Sequence, residues 1–181
     1  ARRGGRVAPG FAAERGLDLR SAACADSKHL TVAAGADGME HKAIDAAIGD
    51  RAGADWDVAA LSADAPTAAD LDALVAKLKT NAANTGGAAV VVDNTSSEFV
   101  AGKYGDWLGA GVHVVTPNKK ANSGDLARFK NFTKAAAEGN AHWFYEGTIG
   151  AGLPVVSTLR TLRASGDAVR SVQGIFSGTM S

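Results

Sequence analysis

Residues 88–95, "AAVVVDNT", are five apolar residues running straight into an acid, an amide and a hydroxyl. An unbroken apolar run of this length, closed by polar residues, reads as a buried parallel strand whose carboxyl end carries a site. The residues beyond it repeat the theme. Thr95 and Glu98 have capping-box spacing ahead of a helix expected to reach Leu108, and "GVHVVTPNKK" at 111–120 reads as a second strand with a polar exit. Asn122 or Ser123 can then cap the helix in "DLARFKNFTKAAAEG", which leads to the strand "AHWFYE". A last helix is expected over 154–164 with Val155, Val156, Leu159 and Leu162 on one side and Gly166 as its stop. Strand and helix alternate through short connections, so the fold class is α/β, a parallel sheet covered by helices.

Upstream the pattern is less regular. "GLDLRSAACADS" at 16–27 has a short apolar run ending at Asp26, Ser27 and Lys28, consistent with a strand. Residues 35–66 are ragged and rich in Ala, Asp and Gly, a loose connection with one helix expected near 41–48. Thr67 to Asp70 cap a helix in which Leu71, Leu74, Val75 and Leu78 recur at helical spacing. In parallel α/β sheets ligands bind beyond the carboxyl ends of strands. Here those ends read 26–28, 93–97, 116–120 and 146–148, all polar.

A chain of 181 residues with 46% hydrophobic content can bury one domain, or one domain and part of another. Nineteen basic residues balance nineteen acidic ones, so no global field draws in nucleic acid or an anionic membrane. No apolar run approaches the roughly 18–20 residues that a bilayer requires. Cys24 is the single cysteine, which excludes an internal disulfide, and no His/Cys cluster has zinc spacing. That fits a reducing compartment and leaves cytoplasm and an organelle stroma both open. The start, "ARRGGRVAPGFAAERG", is Arg-rich and free of acids until Glu14, weakly like a transit peptide but with no apolar signal core.

The chemistry narrows by elimination. His113 and His142 lie in or beside strands with no supporting partner, as packed or capped residues do, and no Ser or Cys has a paired base. Hydrolase chemistry is therefore disfavoured, whereas hydride transfer needs no such base because a cofactor supplies the reactive atom. A dinucleotide site requires a first strand and a Gly-rich turn, and "GGRVAPG" has no apolar strand before it. The start suits the tail of a helix after such a turn, so the chain reads as beginning one element late. Lys28, past the second inferred strand, stands where a cation favours a 2′-phosphate over a bare hydroxyl; a solvated surface lysine is the other reading.

The glycines of "HWFYEGTIGAGLP", residues 142–154, look at first like a phosphate cradle. Glu146 beside them would repel an anion. A carboxylate and inward carbonyls make an all-oxygen site for a hard cation, and the alternative is a turn in which Glu146 bonds local N–H groups ahead of a helix.

"VVDNTSS", "GVHVVTPNKKANSG", "FYEGTIGAGLPVVSTL" and "VQGIFSGTMS", in this order and spacing, resemble homoserine dehydrogenase. The similarity is dense over about 90–181, and before it only "LRSAACADSK" resembles the family's second strand. The resemblance implies a Rossmann-type sheet, incomplete at its N-terminus, over 1–144, and the start of a substrate and dimerisation domain over 145–181. It implies interconversion of L-aspartate 4-semialdehyde and L-homoserine with NADP or NAD, on the route to threonine, methionine and isoleucine. It also implies a homodimer or homotetramer and the possibility of a fused aspartate kinase domain, in cytoplasm or plastid stroma.

Residue by residue, the resemblance places Thr95 and Ser96 on the cofactor, Lys119 near nicotinamide and substrate, and Gly178 and Thr179 on homoserine. A monovalent cation, usually sodium, falls to the Glu146 side chain and the carbonyls of Ile149, Ala151 and Leu153. Two departures stand out: the Gly-rich loop would precede residue 1, and the principal catalytic Asp and Lys would follow Ser181. The rival readings are another nicotinamide dehydrogenase of a small carbonyl substrate, and an inactive nucleotide-binding or oligomerisation module.

Overall fold

The computed structural model describes residues 14–25, 30–33, 38–39 and 71–174. They fall into two compact units that divide between Gly87 and Ala88. In the first, strands β1 (Ala23–Ala25) and β2 (Leu30–Val32) form an antiparallel pair with Cys24 opposite Thr31. β1 forms where the sequence placed a strand, but its partner differs in kind. Four residues separate the two strands, enough for a hairpin and far too few for the crossover a parallel pair needs. Helix α1 (Leu71–Thr85) buries Leu74 and Val75, two of the four residues expected on its apolar face. The helix expected near 41–48, and the cap at 67–70, lie outside the described residues.

The second unit holds a parallel sheet in the order β3 (Val90–Val92), β4 (His113–Val115), β5 (Trp143–Phe144). Val91 pairs with Val114, which pairs with Trp143, so one row of side chains faces the helices. Two short helices, α2 (Glu98–Gly102) and α3 (Tyr104–Gly109), occupy the region where one helix was expected, with Lys103 between them. Helix α4 (Leu126–Glu138) returns the chain to β5, and α5 (Val155–Ala164) follows it.

Tyr104, Leu108, Val112 and Val114 are fully enclosed, and the Tyr104 ring lies 5.9–6.3 Å from the rings of Trp107, Phe132 and Trp143. Aromatic groups at such separations add to the area they bury. The opposite sheet face is bare: Val90, Val92, Val115 and Phe144 are exposed, Val92 by 60%. The run "AAVVV" reads as apolar on both faces because it cannot tell which face a helix covers.

Helix boundaries follow local chemistry. Thr95 was expected to cap the first helix, but Ser97 does so, accepting from the Val100 N–H, while the Thr95 hydroxyl accepts the Ser97 N–H one turn earlier. Asp125, rather than Asn122 or Ser123, caps α4 through the Ala127 N–H. In both cases the cap is the hydroxyl or carboxylate immediately before the first helical residue, where side-chain reach fits the free N–H groups. Gly166, at φ +93, stops α5 as expected: its N–H bonds the Arg163 carbonyl and that of Asp167 bonds Leu162, the paired closure of a left-handed cap. Gly139 has a different reason to be glycine, because a Cβ there would overlap the Leu108 carbonyl where α3 and α4 meet.

Candidate functional site

The three strands of the second unit end side by side. Ladder bonds from Asp93 N–H to the Val115 carbonyl (3.0 Å) and from Thr116 N–H to that of Phe144 (2.9 Å) carry the register to the last residue before each exit. Immediately beyond lies a buried polar network. Asp93 and Asn118 are each 3% exposed and Thr116 is 2% exposed. A buried carboxylate is costly unless its oxygens are bonded.

Here Asp93 Oδ1 accepts from the Thr95 N–H at 2.8 Å, and Oδ2 accepts from Asn118 Nδ2 at 3.0 Å and from the Tyr104 hydroxyl. The Thr116 hydroxyl donates to the Asp93 carbonyl at 2.8 Å and accepts the Asn118 N–H at 2.8 Å. Burial pushes the Tyr104 phenol well above its ordinary range, and the Asp93 carboxylate adds to the shift. It therefore stays a donor at neutral pH.

Asn118 joins the exits. Its second amide proton goes to the Ser97 carbonyl at 3.0 Å, and its Oδ1 accepts the Lys120 N–H at 3.1 Å, starting the 3₁₀ turn Lys119–Ala121. Lys119 and Lys120 are both exposed on that turn, as are Thr95 and Ser96 on the neighbouring loop. Asn122 then reaches the β5 exit, donating to the Thr148 hydroxyl at 3.1 Å, while Thr148 donates to the Tyr145 carbonyl at 2.7 Å. The segments carrying Thr95 and Ser96, Lys119, and Glu146 are thus tied together along one sheet edge.

Glu146 is engaged with α5. Its Oε1 accepts the Val156 N–H at 2.9 Å and its Oε2 the Ser157 N–H at 2.8 Å. These are free donors of the first turn, the groups a bound phosphate would need, so the cradle is filled by the chain's own carboxylate. This is also the local bonding that the sequence left open as the alternative to a cation. Gly150 (φ +69) and Ala151 (φ +52) are left-handed, and the Leu153 carbonyl accepts the Val155 N–H at 2.8 Å. Ile149 and Leu153 are exposed. Arg160 ties α5 to the β5 exit, donating to the Tyr145 hydroxyl at 2.8 Å. Lys28, Gly178 and Thr179 lie outside the described residues.

The sequence reading missed Asp93, Tyr104, Thr116 and Asn118 as a unit. Asp93 carried a signal, an acid placed directly against a buried apolar run. Tyr104 carried none, since its helix break and its reach to a strand eleven residues back are tertiary facts. His113 is structural as expected: its Nδ1 accepts the His142 N–H at 2.9 Å, and the two rings stack at 5.3 Å.

A parallel sheet with helical crossovers and polar strand exits defines the class, a Rossmann-type α/β domain. The chain belongs to the family of the homoserine dehydrogenase NAD binding domain, whose model matches residues 4–146. It is 44% identical over 129 residues to homoserine dehydrogenase of Saccharomyces cerevisiae, covering 71% of this chain and 34% of that protein. It is 52% identical over 92 residues to the chloroplastic bifunctional aspartokinase/homoserine dehydrogenase 1 of Zea mays, covering 51% of this chain and 10% of that one. The chain thus spans about a third or less of the length of these relatives.

A Candida auris protein of unknown function has a crystal structure that superposes at TM-score 0.68 with 27% identity, over 88% of this chain and 40% of that one. A hyperthermophilic archaeal homoserine dehydrogenase in complex with NADPH superposes at 0.56 with 24% identity, over 82% and 42%, a likeness of fold. Among the described residues no helix is long and apolar enough to cross a membrane.

Proposed function

We propose that this chain is part of a homoserine dehydrogenase, interconverting L-aspartate 4-semialdehyde and L-homoserine with NADP or NAD. The observation that carries the reading is the joined set of strand exits in a chain of this family: one buried carboxylate tethers the Thr95–Ser96 loop, and through Asn118 the Lys119 turn, at the sheet edge where dinucleotides bind. The bound nicotinamide supplies or accepts the hydride.

The chain's own groups bind and orient. Thr95 and Ser96 offer their hydroxyls and Ser96 its N–H to the cofactor, the Thr95 N–H being held by Asp93, and Lys119 offers a cation beside nicotinamide and substrate. Lys28 selects for a 2′-phosphate, and Gly178 and Thr179 hold homoserine. Each Glu146 oxygen accepts one amide proton and keeps a further lone pair, so with the Ile149, Ala151 and Leu153 carbonyls the set fits a hard monovalent ion such as sodium. On this reading residues 1–144 belong to the dinucleotide domain and 145–181 begin a substrate and dimerisation domain. The whole protein works as a homodimer or homotetramer in cytoplasm or plastid stroma, alone or fused to an aspartate kinase.

The test is a steady-state assay of the whole protein with aspartate semialdehyde against other small aldehydes and keto acids, with NADPH and NADH in turn. Preferential turnover of the semialdehyde is expected. Faster turnover of another carbonyl would overturn the substrate, and cofactor binding with no turnover of any would overturn the enzyme reading in favour of a binding module.

A further inference from the structure

We propose that Asp93 is a positioning residue that, through Tyr104 and Asn118, sets the 93–97 loop and the Lys119 turn as a single unit. The proposal rests on the dehydrogenase reading for its kinetic consequence, while its structural content stands apart from it.

Three donors from three elements converge on this one carboxylate: the Thr95 N–H of its own loop, the Tyr104 hydroxyl of α3, and the Asn118 amide of the β4 exit. The Tyr104 ring is packed among Trp107, Phe132 and Trp143 and is 0% exposed, so core packing dictates where its hydroxyl lies. The hydroxyl in turn holds Oδ2. From Asp93 the chain of bonds runs outward in two directions and ends on backbone amides, Thr95 beside Ser96 and Lys120 beside Lys119. Asn118 has no spare donor, since both amide protons are committed, and its Oδ1 accepts the Lys120 N–H.

Neither lysine of the turn belongs to this network through its side chain; the network grips the backbone on which the side chains stand. A group gripped in this way acts on chemistry by placement, and an error near 1 Å at a reacting centre costs up to about a hundredfold in rate.

Tyr104→Phe keeps the ring and removes one donor from Asp93. In the whole protein, amide hydrogen exchange at Thr95 and at Lys120 should accelerate together, each by about tenfold or more. Acceleration at only one of them, or at neither, would overturn the coupling.

Turnover of aspartate semialdehyde, measured well below the melting temperature of each variant, should fall about tenfold in Tyr104→Phe. In a Lys119→Met background the same substitution should cost less than about twofold, because residues acting through one group are non-additive. Equal losses in both backgrounds would show that the effect does not run through Lys119 and would overturn the kinetic consequence.

If Tyr104→Phe does not fold, Asn118→Ala decides instead. It should release the Lys120 amide while the Thr95 amide, still bonded to Asp93, keeps most of its protection. Unchanged exchange at Lys120 would sink the proposal. A wild type that does not turn over the semialdehyde would refute the dehydrogenase reading, and the exchange measurements would still decide the network.

Discussion

Single residues in this chain are tuned by what touches them, and His113 shows the sign most plainly. Its imidazole accepts the His142 N–H at Nδ1, so the proton sits on the other nitrogen. Burial pushes its pKa down, and the stacked His142 ring adds to the shift. The folded state therefore binds a proton less readily than the unfolded chain. The stabilisation is complete above the ordinary imidazole range of about 6.5 and is lost as pH falls below it. Thermal melts of the wild type from pH 8 to 5 should show a decline that His113→Phe flattens, after allowance for the carboxylates common to both proteins. Parallel curves for the two would refute this assignment.

At the scale of elements, the termini of helices are settled by carboxylates and hydroxyls that the chain brings from nearby or from afar. Ser97 and Asp125 cap from the adjacent position, but α5 starts at Val155 and is capped by Glu146 from before the intervening turn, the bonding that the sequence left open beside a cation. A charged acceptor on first-turn amides combines a hydrogen bond with the favourable end of the helix dipole. Glu146→Gln keeps the shape and one acceptor, so it should cost about 1 kcal/mol in a chemical melt and loosen the Val156 and Ser157 amides.

The cation proposal adds a second, separable effect. Sodium or potassium should raise the stability or activity of the wild type above that in a bulky organic salt at equal ionic strength, and Glu146→Gln should blunt the difference. Identical curves in all the salts would leave Glu146 as a helix cap alone.

For the molecule as a whole, the second unit has a one-sided core. Val91, Val114 and Trp143 face the helices, and Val90, Val92, Val115 and Phe144 on the other side of the sheet are exposed. Residues 88–181 made alone should therefore bind a hydrophobic dye and self-associate, and Val92→Thr with Phe144→Gln should reduce both. A monodisperse monomer that binds no dye would contradict this.

The sequence by itself determined the alternation of strand and helix over 88–164, the polar character of every strand exit, and the glycine that stops α5. Apolar period, strand length and a left-handed cap are properties of neighbouring residues, so they are legible without a partner. It also brought Thr95, Ser96, Lys119 and Glu146 forward as site residues by likeness to a family.

Only the tertiary structure decided that Asp93, Tyr104, Thr116 and Asn118 form one network, that β1 pairs with an antiparallel neighbour, that Gly139 is a contact glycine, and that Glu146 caps α5. Each of these depends on which distant atoms meet, and the packing of Tyr104 in the aromatic core is what brings its hydroxyl to a carboxylate eleven residues earlier. A one-dimensional pattern records the polarity of a side chain, whereas its partner is chosen by the packing of everything around it.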